Sequence, residues 1–327
     1  MAIESSCDET AVAVFKGNKL LSNVISSQIE IHKRFGGVVP EIASRNHILA
    51  IDNLVKEALS VAGKELKDIE VIAATYGAGL LGALLVGVSY AKALAYALNV
   101  PIMAIDHIKG HVFANFIEYE DMKTPFLCLL ASGGHTEIVE VNSYTDVKIL
   151  GQTVDDAAGE AFDKVARVLG LPYPGGPQIE ACARDGKDCI PMPRPFKGEK
   201  HLNFSYSGIK TAVINYVHNT EAKGIAVNKS DVACSFQTAA LKMLVDNAII
   251  AAKRTGYKSI ALAGGVGANT ALRETLTSEA KKRGIKVYLP SKKFCTDNAA
   301  MIGIAAYHAI KEGVEPSDLD LDADPNL

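Results

Sequence analysis

Tryptophan is absent from this sequence, and cysteine is sparse and scattered. Cys7, Cys128, Cys182, Cys189, Cys234 and Cys295 form no C-x-x-C pair and no dense cluster, which excludes a disulfide-stapled scaffold, a zinc ribbon and a thioredoxin-like dithiol. The chain also opens without a signal peptide, so a reducing cytoplasm is the expected compartment. Charge imbalance is missing too. With 34 Lys and Arg against 37 Asp and Glu, a net charge of −3 gives no global attraction to nucleic acid, and such a partner needs a local basic patch or a second protein. Two nucleotide signatures are lacking: no G-x-x-x-x-G-K-[ST] occurs, and no G-x-G-x-x-G follows a strand. A nucleotide site in this chain must use another architecture. The one long apolar run, residues 80–100, is interrupted by Ser89, Lys92 and Asn99 and carries Gly82 and Gly87 at helix-packing positions. It reads as a buried core helix rather than a membrane span.

What is present is ordinary globular material, 48% hydrophobic and 22% charged over 327 residues, enough for about two domain-sized cores. Short β-rich runs alternate with longer helical patterns, the mark of α/β layering. Residues 10–15 and 20–26 read as an antiparallel strand pair around Gly17-Asn18, followed by a helix at 41–62, a strand at 71–75 and a helix at 80–98. A related series begins near 101–105. It has strands at 126–131 and 136–141 around Ser132-Gly133-Gly134, and helices at 155–169 and 231–254. A strand at 260–263 and helices at 269–283 and 298–311 complete it. Residues 172–204 read as an irregular loop with one short helix after Pro177. The last fifteen residues are acidic and expected to fray.

Two glycine turns could hold an anion. "ASGGHTEI" (131–138) brings bare backbone amides to a strand end, and "LAGGVGAN" (262–269) leads into a helix whose N-terminus favours negative charge. A third, "TYGAGLLGALLVG" (75–87), has its glycines at small-residue helix spacing and reads as close helix packing. "IESSCDET" (3–10) groups Glu4, Asp8 and Glu9 with Ser5, Ser6 and Thr10, and two readings stay open: a polar hairpin turn, or a phosphate loop.

In "DHIKGH", His107 and His111 stand one helical turn apart, a spacing that suits two imidazoles on one metal. Eight histidines in 327 positions produce such a pair by chance roughly one time in five, so the spacing is suggestive only. Positions 108 and 109 are Ile and Lys, so the general-base glutamate of an H-E-x-x-H protease is missing. A third ligand must come from afar, and "CTDNAAMIG" (295–303) offers Asp297, with helix capping as the competing role.

These stretches, with "HKRFGGVVPEIASRNH" (32–47), "DDAAGEAFDKVARVLGLPYPGGP" (155–177) and "NFSYSGIKT" (203–211), resemble in order and spacing the tRNA adenosine threonylcarbamoyltransferases, called TsaD in bacteria and formerly labelled glycoproteases. The resemblance covers essentially the whole chain. It implies an α/β fold of the ASKHA (actin-like ATPase) type, two RNase H-like domains around a nucleotide cleft, divided here as 1–105 plus 300–327 and 106–299. The implied reaction moves a threonylcarbamoyl group from threonylcarbamoyl-adenylate to the exocyclic amine of the adenosine next to the anticodon, in tRNAs reading codons that begin with A. His107, His111 and Asp297 match the family's ligands for one divalent metal, iron or zinc. Leu130, Ala131, Ser132, Gly133 and Gly134, then Asp163, Gly176, Glu180 and Asn269, match positions that hold the adenylate. The implied partners are tRNA, a paralogous ASKHA subunit, TsaB, and a small ATPase, TsaE, with no membrane. Residues 41–62 and 80–98 are the candidate pairing helices. Arg194, Lys197, Lys200, His201 and Lys210, interleaved with Phe196, Phe204 and Tyr206, are the candidate tRNA patch.

The chain departs from the family pattern at three places. Lys109 replaces the glutamate of the usual H-x-E-G-H, Ala78 replaces a proline in the third glycine turn, and few residues precede the first strand, which should be short. Two other classes remain as alternatives: an ASKHA kinase or carbamoyltransferase acting on a small molecule, and a non-catalytic nucleotide-binding scaffold.

Overall fold

A computed structural model describes residues 1–196, 198 and 201–327. Contacts divide the chain into a first unit, Met1–Met122 with Thr296–Leu327, and a second, Lys123–Cys295. The sequence reading placed the divisions at 105/106 and 299/300; here the histidine pair stays with the first unit.

The first unit is built on strands β1 (Ala2–Glu4), β2 (Glu9–Lys16), β3 (Lys19–Ser27), β4 (Ile72–Gly77) and β5 (Ile102–Asp106), in the order β3-β2-β1-β4-β5. The first three are antiparallel and the last two join β1 in parallel. Its helices are α1 (Ile29–His32), α2 (Pro40–Ala62), α3 (Leu81–Leu98) and α4 (His107–Phe113), with a later helix, α10 (Ala299–Lys311), returning to it. Helix α2 starts with Pro40 at its first turn and closes on Gly63 in the left-handed region, the asymmetry expected of proline and glycine at helix ends. Its Ala43, His47, Ile51, Leu54, Val55, Ala58 and Leu59 are buried, a stripe at helical spacing that packs with Ile3, Val12, Ile72 and Ala91 into one core.

The second unit repeats the plan. Strands β6 (Phe126–Ala131), β7 (Thr136–Val141), β8 (Val147–Gln152), β9 (Ser259–Ala263) and β10 (Lys286–Tyr288) lie in the order β10-β9-β6-β7-β8. Again three are antiparallel and two parallel. Helices α5 (Ala158–Val168), α6 (Gly175–Ala183), α7 (Ser207–Ala222), α8 (Lys229–Thr255) and α9 (Thr270–Lys281) cover a core that includes Phe162, Phe236, Leu244, Ile260 and Leu272.

Several expectations need correction. Helix α6 begins at Gly175, ahead of Pro177, because proline is tolerated in a first helical turn. Strand β1 is short, as expected, whereas strands β8 and β10 and helix α7 were not foreseen; the two strands are too short or too mixed to show alternation. Helix α3 is long and apolar enough to cross a membrane by length and composition, yet it is not the fully buried helix expected. Its Ala83, Leu84, Gly87, Val88, Ala91 and Ala95 are buried, while Leu81, Leu85 and Tyr96 are exposed. Gly87 packs where a Cβ would strike Ser5 Oγ, the close approach its spacing suggested. The acidic C-terminus is docked rather than frayed. Ser317 N–H donates to the Ile102 carbonyl at 2.8 Å, Asp324 N–H donates to Tyr76 at 2.8 Å, and Lys92 Nζ donates to the Leu321 carbonyl at 2.7 Å.

Candidate metal centre and ligand turns

Parallel strand β5 ends at Asp106, whose side chain accepts from the N–H of Ile108 at 2.7 Å and Lys109 at 3.4 Å. That cap starts α4 at once, so both histidines of "DHIKGH" fall on its inner face. Gly110 sits where a Cβ would lie 2.8 Å from Ile302 Cδ1; its bare backbone lets α10 come close and brings the residue before that helix to the histidines. His111 Nε2 is 3.1 Å and His107 Nε2 is 3.6 Å from Asp297 Oδ1. The cap of α10 is Asn298, which accepts from Met301 N–H at 3.1 Å, so the capping role weighed for Asp297 belongs to its neighbour.

One donor atom from each of His107, His111 and Asp297 lies within 4.8 Å of the others. His107 and His111 are buried and Asp297 is partly exposed, an arrangement with protein on one side and an open approach on the other. Two imidazoles and a carboxylate suit a borderline divalent ion and leave coordination positions vacant. His111 Nδ1 is buried without a hydrogen-bond partner among the described residues. The residues fit a metal.

Electrostatics supports the cluster. Burial works against a charged His107, but Asp297 and Glu4 outweigh it and raise its pKa to about 9. Burial works likewise against an ionised Glu4, and the His107 charge, with hydrogen bonds from His107 and Ser6, holds it below the usual carboxylate range. Partial burial, Asp8 and Asp297 push Glu9 up to about 9.

"IESSCDET" does join two antiparallel neighbours, β1 and β2, as the hairpin reading expected, but its Ser5, Ser6 and Thr10 are buried. Ser5 Oγ donates to the Ala83 carbonyl at 2.9 Å, Thr10 Oγ1 bonds His47 Nδ1 at 2.8 Å, and Ser6 Oγ bonds His107 Nδ1 at 3.1 Å. Burial of these groups could not be read from a stretch with no apolar alternation.

In the second unit the glycine turns come together. Leu130 and Ala131 are buried in β6, while Gly133 and Gly134 are exposed beyond it. The Ser132 N–H donates to the His135 carbonyl at 2.8 Å, and the His135 N–H donates to Ser132 Oγ at 3.0 Å. Gly264, at φ +84°, lies where a Cβ would strike the Ala131 backbone, so the "LAGGVGAN" turn rests on the strand that feeds the other turn. Asn269 caps α9 through Leu272 N–H at 3.0 Å and donates to Gln237 Oε1 at 2.8 Å. Asp163 accepts the Gly175 N–H at 2.6 Å, next to Gly176, and Glu180 accepts the Thr270 N–H at 3.1 Å. A depression of about 370 Å³ is lined by Glu180, Ala183, Arg184, Gln237, Thr270, Ala271 and Glu274. Of its lining, Arg184, Gln237 and Glu274 had no sequence signal; the end of α6, α8 and α9 bring them there.

The basic patch is smaller than expected. Phe204 and Tyr206 are fully buried core residues, and Lys210 Nζ pairs with Asp156 at 2.5 Å. Phe196 and His201 do meet, ring centroids 4.5 Å apart. Lys197 and Lys200 lie outside the described residues.

Fold and cluster together define an α/β protein of the ASKHA class with a candidate metal centre. Among solved structures, full-length HypF in a phosphate- and nucleotide-bound form is similar over 95% of this chain and 56% of its own, at TM-score 0.65 and 16% identity. The (R)-2-hydroxyglutaryl-CoA dehydratase component A of Acidaminococcus fermentans is similar over 96% of this chain and 98% of its own, at TM-score 0.55 and 14% identity. At such identities the likeness concerns fold alone. Sequence goes further. Residues 19–304 match the family described as tRNA N6-adenosine threonylcarbamoyltransferase, TsaD. Relatives of that name from Clostridium perfringens and Clostridium beijerinckii are 56% and 54% identical over 329 residues, covering all of this chain and 97% of each relative. This chain belongs to the tRNA N6-adenosine threonylcarbamoyltransferase family.

Proposed function

We propose that this chain transfers the threonylcarbamoyl group of threonylcarbamoyl-adenylate to the exocyclic amine of the adenosine beside the anticodon, in tRNAs that read codons beginning with A. The observation that carries the reading is identity above one half, along the entire chain, to relatives named for tRNA N6-adenosine threonylcarbamoyl transfer. The reaction forms one C–N bond, breaks the C–O bond to phosphate, and releases AMP and a proton. A mixed anhydride is already activated, so the protein has to orient its carbonyl, stabilise the developing oxyanion and admit the amine.

His107, His111 and Asp297 would hold a divalent ion, iron or zinc, which when bound supplies Lewis-acid stabilisation of the carbonyl oxygen. In the second unit, the Gly133 and Gly134 amides of the Ser132-Gly133-Gly134 turn would receive the phosphate. Asp163 and Glu180 would accept ribose hydroxyl protons, with Gly176 leaving room beside them and Asn269 adding amide contacts. For partners, the exposed Ile48 and Leu49 of α2 and Leu81, Leu85 and Tyr96 of α3 favour these helices as the face that pairs with a paralogous subunit such as TsaB. TsaE would join that assembly, and the cytoplasm, where tRNA is modified, would be its compartment.

The test supplies the chain with its paralogous partner, the small ATPase, tRNA and a synthase that generates the adenylate, and digests the tRNA for nucleoside analysis. Threonylcarbamoyladenosine is the expected product. Its absence, where a relative's enzyme succeeds in parallel, overturns the reading.

A further inference from the structure

Behind the histidine pair lies a carboxylate that the metal reading leaves without a role. Glu4 ends β1 and is fully buried, yet both of its oxygens are engaged by donors of the first unit. Oε1 accepts the Ser6 N–H at 2.6 Å. Oε2 accepts Thr75 Oγ1 and faces His107 Nδ1 at 3.3 Å, while Ser6 Oγ adds a second neighbour of the same nitrogen at 3.1 Å. The opposite ring nitrogen, Nε2, points to Asp297. We infer that Glu4 is the positioning residue of the metal centre: its Oε2 accepts a hydrogen bond from His107 Nδ1–H, which fixes the tautomer with the lone pair on Nε2 and holds that lone pair toward the ion.

The inference rests on the metal site proposed above and adds the group that orients it. Metal-bound histidines commonly donate their second N–H to a carboxylate, which fixes tautomer and ring orientation and makes the ligand more basic. Position 109 cannot serve. Two residues along a helix is about 200° round its axis, so Lys109 faces away from His107 and equally from His111. The carboxylate behind the ligand therefore comes from β1, 103 residues away in sequence, and glutamate at 109 is dispensable for this purpose. A buried anion in this position is costly unless it is hydrogen-bonded and near positive charge; the donors supply the first and a cationic centre the second.

Glu4→Gln is the informative change because an amide has one acceptor oxygen where the carboxylate uses two. Either Ser6 N–H or His107 Nδ1–H then meets an NH2 group. The full-length chain, stripped of metal and titrated with Zn²⁺ against a chromophoric chelator, should bind roughly 10- to 100-fold more weakly in Glu4→Gln. Lys109→Glu should bind within about twofold of the original chain, since residue 109 is no neighbour of either imidazole. Loaded with Co²⁺, Glu4→Gln should show shifted visible bands, which a residue that merely supported the fold would not move. Glu4→Asp, which keeps the charge but retreats by one methylene, should fall between, and serves in place of the amide if Glu4→Gln does not fold. Unchanged Zn²⁺ affinity and unchanged Co²⁺ bands in whichever variant folds overturn the inference and leave the metal site standing. Failure of the unaltered chain to bind Zn²⁺ overturns both.

Discussion

Asp297 sits one residue before the helix cap, and this single step decides what substituting it will do. Because Asn298 holds the α10 N-terminus, Asp297→Asn should leave the fold intact and remove the charge facing both imidazoles. Metal affinity should drop by more than the 10- to 100-fold typical of changes behind a ligand, transfer should fall with it, and peptide hydrolysis should be undetectable in either form. Metal content and nucleoside yield check this together; full occupancy with full rate would remove Asp297 from the centre. The same pocket gives a pH dependence. In the metal-free chain His107 is raised to about 9 from an ordinary 6.5 because Asp297 and Glu4 outweigh burial. Its contribution is thus complete below about pH 6.5 and is lost as pH rises through about 9. Glu9, raised to about 9 from 4.5 by burial, Asp8 and Asp297, has the same sign, since the folded state holds a proton that the unfolded state has released. His308 runs the other way. Burial, aided by Lys311, lowers it from 6.5 to about 4, so its contribution is present above about 6.5 and lost as pH falls through about 4. Denaturant midpoints of the stripped protein should therefore decline toward pH 9.5, while between about pH 6.5 and 4.5 the Glu9 and His308 contributions oppose each other. A flat profile from 7 to 9.5 would contradict the His107–Asp297–Glu4 cluster.

At the scale of elements, helix starts and strand ends place His107, Asp297, Ser132 and Asn269, while His111, Asp163 and Glu180 lie within helices. Asp106 stops β5 and starts α4, and Asn269 starts α9. Gly264 shows how little slack the second unit's turn has. At φ +84° against the Ala131 backbone, alanine adds left-handed strain of about 1–3 kcal/mol and a steric conflict besides. Gly264→Ala should cost about 2–4 kcal/mol in urea unfolding and weaken AMP binding measured by calorimetry. A loss under about 0.5 kcal/mol would mean that the turn relaxes freely. Helices α2 and α3 present the opposite case, a face with nothing of its own unit upon it. Leu49 and Leu85 are 75% and 39% exposed, so Leu49→Asp with Leu85→Asp should leave monomer stability within about 0.5 kcal/mol per site. Co-elution with the paralogous subunit should be abolished. Retained pairing would move the interface elsewhere.

Across the molecule, one five-stranded plan occurs twice, with the His107–His111–Asp297 cluster on one copy and the paired glycine turns on the other. Its charges nearly cancel, and the aromatic residues once counted toward a tRNA surface, Phe204 and Tyr206, are core. Poor tRNA retention by the single chain is therefore expected, with tighter, salt-sensitive binding once partners are added. Multiple turnover by the chain alone would argue against that division of labour. The sequence alone determined the alternating α/β order, the N-terminal hairpin, the glycine turns at 132–134 and 264–265, the histidine pair and the family resemblance. All of these are local in the chain or long enough to be specific: a 3.6 or 2 residue period, a turn residue, a run of matched motifs. Tertiary structure alone decided that Asp297 meets the histidines while Asn298 does the capping, that Glu4 stands behind His107, that Gln237 reaches Asn269, and that Lys210 is held by Asp156. It also decided that the acidic tail is docked and that α3 keeps one face uncovered. Each depends on which side chains meet across long separations in sequence. Hydrophobic period fixes the buried side of an element but leaves its neighbours open; they are set by strand order and by the close approaches that residues such as Gly110 and Gly264 allow.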